Sequence, residues 1–345
     1  MSQTAALKKR DSSLDIAKGI GMICVIAGHM RMQYFNQVVY TFHMPLFLLV
    51  SGYLLKEDRS LAFTTKKAKA LLVPYVVTAL IMMCFNLLFP TVPLKLENQA
   101  SGFWNIIRYW ITAIFYASGS NTNCFGYTLP FIGEIWFLVS LFFALLFVNF
   151  IGTRKHGWIW IVVLALLGWA SAKLTWLPFS LQSAMVSSLF IECGWLIRKH
   201  QLKDKLEQPK AQLLCLGLWL LSLGATFYTK THMSMVRCEF PHGPIDVIGA
   251  IAASILILNG SKKLSQLGHS ATKFLLFFGS SSLLAMCVHY VDACVLPIQQ
   301  IYDRLMPANK LLAILFVLLF LGIRVAYTSF GVRLVQGIQN RFGSY

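Results

Sequence analysis

Apolar stretches of about twenty residues recur along the whole chain and limit its possible folds more than any other feature. A stretch of that length can span the hydrocarbon core of a bilayer as an α-helix. Of the 345 residues, 57% are hydrophobic and only 12% are charged, whereas soluble domains carry about 25% charged residues. The sequence therefore predicts an all-α, polytopic integral membrane protein.

About ten transmembrane helices are predicted from the length of these stretches. They lie near residues 14–34, 38–55, 71–90, 129–150, 157–175, 180–197, 211–229, 244–260, 273–294 and 310–330. The aromatic segment 103–117 is interrupted by Arg108 and is expected in the interface or on the outer face. Residues 1–345 would form a single transmembrane domain, with cytoplasmic tails at residues 1–13 and 331–345.

The basic residues set the expected orientation. Lysine and arginine number 30 against 13 acidic residues, a formal net charge of +17. Such a charge could indicate nucleic-acid binding, but these residues concentrate in alternate loops, which is what membrane topology requires. We therefore expect both termini in the cytoplasm, an even number of crossings and no nucleic-acid partner.

Two ionisable residues, Lys18 and His29, lie eleven positions apart in the first apolar segment. Such groups are costly within a membrane and usually face a protein interior or a water-filled cavity. Eleven residues make about three helical turns, so the side chains share one face, roughly 16 Å apart along the axis. Asp15, one turn before Lys18, is a candidate partner for its ammonium group. The layout predicts a site with Lys18 near the cytoplasm and His29 toward the outer side.

A second histidine, His43, begins the next apolar segment, which returns from the outer face and brings it to about the depth of His29. Histidine can accept a proton near neutral pH, which suits a general base acting on a hydroxyl group. Each imidazole could instead satisfy a buried carbonyl group. A metal site is disfavoured because no third ligand has evident spacing.

Other polar residues lie within or at the ends of the predicted spans. Glu134 precedes Trp136 at the start of one segment, and His289 and Asp292 share a helix face because they are three positions apart. A carboxylate beside an imidazole can orient it and raise its basicity, although a local ion pair at a helix end would give the same pattern. Arg324 could bind phosphate groups on the cytoplasmic side or only extend to the lipid headgroups.

Small residues and scattered cysteines complete the pattern. Close packing of the first helix is predicted from its small residues, Gly19, Gly21, Ala27 and Gly28. The eight cysteines show no spacing of the zinc-binding type. Cys124 and Cys238 fall in outer loops, where a disulfide between them is conceivable.

These residues resemble the motifs of a known family. The spacing of Lys18 and His29 is similar to the pattern of a basic residue, ten residues and a histidine in the membrane-bound acyltransferase family three. Its second-helix signature and later blocks are similar to Phe42-His43-Met44-Pro45-Leu46-Phe47 with Ser51-Gly52, to Trp136-Phe137-Leu138, and to the stretch from Gly279 to His289. Leu48, Leu49 and Val50 stand where the family often has more phenylalanine. The resemblance covers most of the chain and implies a stand-alone member without a fused extracytoplasmic domain.

The resemblance implies an O-acyltransferase of the cytoplasmic (inner) membrane, usually one that uses acetyl-CoA as the acyl donor substrate. The acceptor partner would be a sugar hydroxyl of a cell-envelope glycan or a lipid-linked saccharide, and the oligomeric state is left open. By the family match, His29 would be the catalytic histidine and Lys18 its basic partner. Candidate catalytic residues are His29, His43 and Glu134, candidate donor-binding residues are Lys18, Asp15, Ser51 and Arg324, further candidates are Trp136, His289 and Asp292, and no metal ligand is assigned.

The dimensions of the donor agree with this reading. The pantetheine arm of acetyl-CoA is on the order of 15–20 Å long, comparable to the roughly 16 Å between Lys18 and His29. The acetyl group could pass directly to the acceptor or through a covalent acyl-histidine. A polytopic transporter or flippase is the main alternative, and a non-catalytic envelope sensor is a third. The aromatic residues Trp104, Trp110 and Tyr116 of the outer loop at 91–128 could stack on sugars or form a membrane belt.

Overall fold

The computed structural model describes residues 11–30, 33–89, 102–267, 270–295, 298–307 and 309–342. Most of these residues are helical, and two short antiparallel strands form a hairpin. In chain order the elements are α1 (Ser12–Gly28), α2 (Gln33–Val39), α3 (His43–Tyr53), α4 (Leu61–Leu88), α5 (Phe103–Tyr116), β1 (Thr122–Cys124), β2 (Tyr127–Leu129), a 3₁₀ turn (Gly133–Ile135), α6 (Trp136–Phe147), a π-helical turn (Val148–Gly152), α7 (Gly157–Ser171), a 3₁₀ turn (Pro178–Ser180), α8 (Leu181–Lys199), α9 (Lys203–Leu206), α10 (Pro209–Thr229), α11 (Pro244–Ser265), α12 (Ser270–Ser280), α13 (Ser282–Val295), α14 (Ile298–Leu305) and α15 (Lys310–Phe342).

Within the described ranges, six helical segments are long and apolar enough to cross a membrane. They contain α4, α6, α8, α10, α11 and α15, and α12 with α13 would add a seventh crossing that is bent by 81°. The prediction of a helical protein with several membrane-spanning segments is confirmed, but the number of about ten is not. The other predicted spans correspond to shorter helices: α1 has 17 residues, α3 has 11 and α7 has 15.

Helix α1 packs against several other helices, namely α3, α11, α12, α13 and α15, and most of its residues are buried. Its close approach to α12 depends on glycine. A Cβ atom at Gly19 would collide with the carbonyl group of Leu275, and one at Gly279 would collide with that of Asp15. The predicted close packing of the first helix is confirmed at this contact.

Helix α5 packs against α4. The hydroxyl group of Tyr75 donates to the carbonyl of Ile114 at 2.8 Å, and the indole N–H of Trp110 donates to Oδ1 of Asn86 at 3.2 Å. Trp110 is completely buried, so it is not placed to stack on a sugar as the sequence suggested. Trp104, in contrast, is 77% exposed. Residues 91–101 of the predicted outer loop lie outside the described residues.

Residues 331–342 of the expected C-terminal tail are helical and continue α15 to Phe342. The bound at residue 330 came from the length of the apolar stretch, and the cytoplasmic location of the tail stays a prediction. In the fold, the guanidinium of Arg333 lies 5.1 Å from the ring centroid of Phe277, and Gln336 donates to Oγ of Ser281 at 2.9 Å, so these contacts hold the additional turns. Residues 1–10 and 343–345 of the two expected tails lie outside the described residues.

The two outer cysteines do not form a disulfide. Cys124 and Cys238 are both free thiols. The sulfur of Cys238 lies 3.7 Å from Oγ of Ser183, and that of Cys124 lies 3.5 Å from the hydroxyl oxygen of Tyr116. Each thiol is therefore packed against a different neighbour.

Candidate active site

A cavity of about 650 Å³ extends beside α1. Lys18 and Ser51 line one part of it, called here the Lys18 end, whereas His29 and Glu134 line the other, the His29 end. Both side chains border this single space, Lys18 from within α1 and His29 from directly after its last residue. The cavity therefore connects the two polar residues that the sequence singled out.

At the Lys18 end, the ammonium nitrogen of Lys18 lies 2.8 Å from Oδ1 of Asp15. The two residues are one helical turn apart, as expected for a pair at this spacing. Ser51 also borders the cavity, and its hydroxyl group donates to the carbonyl of Phe47 at 2.7 Å. Lys18 thus offers a positive charge to the cavity while Asp15 compensates part of it.

His29 lies directly after the last residue of α1, and its Nδ1 is 3.4 Å from Oε1 of Glu134. Glu134 lies in the 3₁₀ turn that leads into α6. A helix C-terminus favours a positive charge and a helix N-terminus favours a negative one. The positive charge that His29 gains when it accepts a proton would therefore lie beside a helix C-terminus and the carboxylate of Glu134.

Gly133 places Glu134 in this position. Its φ angle is +72°, which glycine adopts without steric cost. A Cβ atom at residue 133 would also collide with the ring of Tyr290, which is completely buried. The Gly133-Glu134 sequence is thus required both by the turn and by packing against α13.

A second polar group adjoins His29. The ring centroids of His29 and His289 are 5.5 Å apart. A terminal nitrogen of Arg324 lies 3.4 Å from Oδ2 of Asp292 and 3.5 Å from Nδ1 of His289, and all three residues are buried. Among the described residues, Nε2 of His289, Oδ1 of Asp292 and Nε of Arg324 have no hydrogen-bond partner.

The expected position of Arg324 at the cytoplasmic, phosphate-binding end is wrong. The structure places Arg324 beside Asp292 and His289, the latter next to His29, although Arg324 also lines the cavity. The physical reason is charge pairing, because a buried guanidinium needs a buried carboxylate. The expected shared face of His289 and Asp292 is confirmed, with Nδ1 and Oδ2 3.7 Å apart.

His43 is satisfied locally. Its Nδ1 lies 2.8 Å from the carbonyl oxygen of Val39, so a ring N–H at this position donates to that oxygen. This is the carbonyl-bonding alternative that the sequence left open. His43 also lines the cavity, and its ring is 5.0 Å from that of Tyr40. In the neutral ring the lone pair is then on Nε2.

Other residues complete the lining at the His29 end. Trp136, a sequence candidate, is the first residue of α6 and borders the cavity. The lining also includes Asn36, Tyr40 and residues 233–236, which were not predicted from the sequence. Residues 233–236 lie in a loop between two helices and carry no periodic signal. Among the residues that the structure describes, no group of three or more His, Cys, Asp and Glu side chains could hold a metal ion.

The chain is similar to known proteins over most of its length. Residues 11–330 match the model of the acyltransferase 3 family, described as an acyltransferase domain. The chain is 26% identical over 186 residues to nodulation protein NolL of Mesorhizobium japonicum (strain LMG 29417 / CECT 9101 / MAFF 303099). That alignment covers 50% of this chain and 44% of NolL, so the chain spans less than half of that relative. No solved structure is significantly similar to the chain.

Proposed function

Because the chain belongs to the acyltransferase 3 family, we propose that it is a membrane O-acetyltransferase. It moves an acetyl group from cytoplasmic acetyl-CoA to a sugar hydroxyl of a cell-envelope glycan or lipid-linked saccharide. One observation carries this proposal: Lys18 and His29 border the same cavity of about 650 Å³. A phosphate-bearing donor with a long, thin arm matches a cavity with a cation at one end and a base at the other.

The donor would enter at the Lys18 end. Its phosphate groups would lie near the ammonium group of Lys18 and the basic cytoplasmic loops, and its thioester would reach His29. Asp15 holds the ammonium group 2.8 Å away, so Lys18 is kept in position before the donor arrives. Ser51 borders the same path.

The transfer step would use the pair formed by His29 and Glu134. The acceptor hydroxyl gives its proton to Nε2 of His29, the ring nitrogen opposite the contact with Glu134, while its oxygen bonds to the acetyl carbonyl carbon. The bond between that carbon and sulfur breaks, and the imidazolium returns the proton to the departing thiolate. Glu134 stabilises the imidazolium in the interval, which is the role of a carboxylate beside a catalytic histidine. A covalent acetyl-histidine formed before the acceptor attacks would use the same residues.

Arg324 supports the same step from α15. It lines the cavity beside His289, and a preorganised positive charge favours the negative charge that develops on the carbonyl oxygen. Asp292 would orient the guanidinium, and His289 would hold the ring of His29. Trp136 and His43 would form part of the wall around the reacting atoms.

The proposed topology has ten crossings. The six long segments and the bent α12–α13 pair would be joined by the three shorter helices α1, α3 and α7. An even number agrees with both termini in the cytoplasm of an inner-membrane protein, as the basic loops indicate. Short helices at membrane depth are tolerated where they are buried in protein or border a polar cavity, as α1 and α3 are.

The proposal is tested with purified protein in lipid vesicles, acetyl-labelled acetyl-CoA and a panel of neutral and acidic oligosaccharides. The expected result is label in an alkali-labile ester on a saccharide, with one free CoA released per ester. Movement of unmodified saccharide across the vesicle membrane without consumption of acetyl-CoA would contradict it and support the transporter alternative. The continuous cavity between Lys18 and His29 supports acyl transfer at least as directly as it supports transport.

A further inference from the structure

We propose that residues 233–236, called here the acceptor wall, select the acceptor and favour an uncharged saccharide unit. This inference rests on the proposed function, because it assigns a substrate preference to the same cavity. The wall belongs to the loop between α10 and α11, which follows Thr229 and precedes Pro244. All four of its residues line the cavity.

The acceptor wall lies beside the His29–Glu134 pair. Val236 and Trp136 both pack against Gly119, and Trp136 is two residues from Glu134 in the chain. On the other side, the ring of His232 lies 4.6 Å from that of Tyr40. A Cβ atom at Gly28, the neighbour of His29, would be 3.6 Å from that same tyrosine ring. Contacts on both sides thus place the wall next to the reacting groups.

The acceptor wall is held in one conformation by its backbone. Ser234 and Glu239 exchange two hydrogen bonds, with N···O distances of 2.8 and 2.9 Å. The hydroxyl group of Ser183 on α8 donates to the carbonyl of Met235 at 3.2 Å, and both Met233 and Met235 are buried. A wall that is fixed before binding can discriminate by shape without an ordering cost.

The base of the loop is fastened by a chain of three side chains. Nδ1 of His242 lies 2.7 Å from Oδ1 of Asp246, and Nε2 lies 2.8 Å from Oγ1 of Thr229. Asp246, His242 and Thr229 are arranged like the acid, base and nucleophile of a catalytic triad. Thr229, however, lies in the last turn of α10. The partial negative charge of a helix C-terminus opposes an alkoxide there, and Oγ1 also lies 3.0 Å from the carbonyl oxygen of Ala225. These hydrogen bonds therefore anchor the loop and do not form a second active site.

The chemistry of the lining indicates an uncharged, amphipathic ligand. The acceptor wall contributes two thioethers, one hydroxyl group and one isopropyl group, and Asn36, Tyr40 and Trp136 also border the cavity. A sugar ring has apolar C–H faces that fit Met and Trp side chains, and hydroxyl edges that fit Asn36 and Ser234. The charged groups near this end each have a partner: His29 contacts Glu134, Arg324 pairs with Asp292, and Arg237 next to the wall pairs with Glu239. A full carboxylate charge on the acceptor would therefore meet no unpaired cation, whereas the partial charge that develops on the acetyl oxygen needs only the oriented guanidinium of Arg324.

The test compares wild type with Ser234→Leu and Met235→Ala, using p-nitrophenyl β-glucoside, β-maltoside and β-glucuronide as acceptors. Wild type should prefer the glucoside over the glucuronide by at least about tenfold in kcat/KM, because the cavity offsets only part of the cost of removing the glucuronide carboxylate from water. Ser234→Leu should raise the KM for the glucoside about fivefold or more, because its longer side chain fills the wall. Met235→Ala should shift the preference toward the larger maltoside. Glu57→Gln, at an exposed position outside the cavity lining, is the control and should change neither value.

The acetyl-CoA dissociation constant is measured for every variant and should stay within about twofold of wild type. If Ser234→Leu does not fold, the ranking of glycosides by Met235→Ala decides the question. Unchanged rankings in the folded variants, or equal use of glucuronide and glucoside by wild type, would overturn this inference while transfer itself continued. Absence of acetyl transfer to any glycoside would overturn the proposed function and this inference with it.

Discussion

Nδ1 of His29 and Oε1 of Glu134 lie 3.4 Å apart, joining the end of α1 to the turn that begins α6. A helix C-terminus stabilises a positive charge, here the one that His29 gains when it accepts a proton. The pair can therefore hold a transferred proton without a change in backbone conformation.

Replacing Glu134 by Gln should lower kcat for acetyl transfer by about 10²-fold, within the range of general acid–base contributions. The amide keeps the size of the side chain but cannot stabilise the imidazolium by charge. Steady-state transfer kinetics with wild type, Glu134→Gln and the exposed control Glu57→Gln measure the effect. A kcat equal to that of wild type would show that the carboxylate has no part in the chemical step.

Replacing Lys18 by Ala should raise the dissociation constant of acetyl-CoA by about tenfold, or 1.4 kcal/mol, because the phosphate groups lose a cation. Binding of acetyl-pantetheine, which lacks those phosphates, should be unaffected. Lys18→Arg should restore acetyl-CoA binding, and Lys155→Ala in an exposed loop should leave it unchanged. Equal losses for the two donors would contradict the assignment of the phosphates to Lys18.

Replacing Arg324 by Met should destabilise the protein by about 3–5 kcal/mol, because Asp292 would remain buried without its partner. The double variant Arg324→Met with Asp292→Leu should recover most of this loss, since neither charge is then buried. Thermal unfolding in detergent micelles compares these variants with Arg341→Met, an exposed arginine on the same helix. A double variant that is less stable than Arg324→Met would refute the pairing.

Replacing Gly19 by Ala should destabilise the protein by about 1–3 kcal/mol, the range for overpacked positions, since its Cβ would meet the carbonyl group of Leu275. Gly217→Ala in α10 is the matched control, because a Cβ there meets no atom within 4 Å. The same change should be neutral or slightly stabilising at that position. Equal unfolding temperatures for the two variants would argue against the close contact between α1 and α12.

The ion pair between Asp11 and Lys203, 3.1 Å apart, should make a small, pH-dependent contribution to stability. Burial alone would raise the pKa of Asp11, but hydrogen bonds from Ser13 and Lys203 lower it. Burial alone would lower the pKa of Lys203, but its hydrogen bond to Asp11 raises it. The contribution is lost as pH falls through the lowered pKa of Asp11 and as it rises through the raised pKa of Lys203.

Because both side chains are more than a third exposed, we expect less than about 1 kcal/mol from this pair. Asp11→Asn, which retains a capping side chain, should lower the unfolding temperature slightly at neutral pH and not at strongly acidic pH. Asp204→Asn serves as the control for loss of a nearby surface carboxylate. A difference between Asp11→Asn and wild type that persists unchanged in strong acid would contradict the pair's role.

Much of the first helix was predictable from sequence, because helical periodicity is a local property. The spacing of Lys18 and His29 predicted a shared face, and both residues line one cavity although His29 follows the end of α1. The small residues likewise predicted the close contact at Gly19. The pairing of Lys18 with Asp15 follows from the same periodicity.

Long-range positions were not predictable in this way. Arg324 was expected near phosphate groups, but its place beside Asp292 depends on how α15 packs against α13. The contact between His29 and Glu134 depends in the same way on two helix ends meeting in space. The acceptor wall at residues 233–236 lies in a loop and has no periodic pattern. The number of membrane crossings was not predictable either, because α3, which corresponds to one of the predicted spans, has only 11 residues.

The most direct test of the central claim is acetyl transfer by His29→Ala beside His200→Ala, an exposed histidine outside the cavity. Both proteins are reconstituted in vesicles, and both acetyl-CoA binding and label transfer to saccharide are measured. We predict that His29→Ala binds acetyl-CoA as wild type does but transfers no label above background, while His200→Ala retains full transfer. Transfer at the wild-type rate by a folded His29→Ala protein would contradict the assignment of the chemistry to the end of α1.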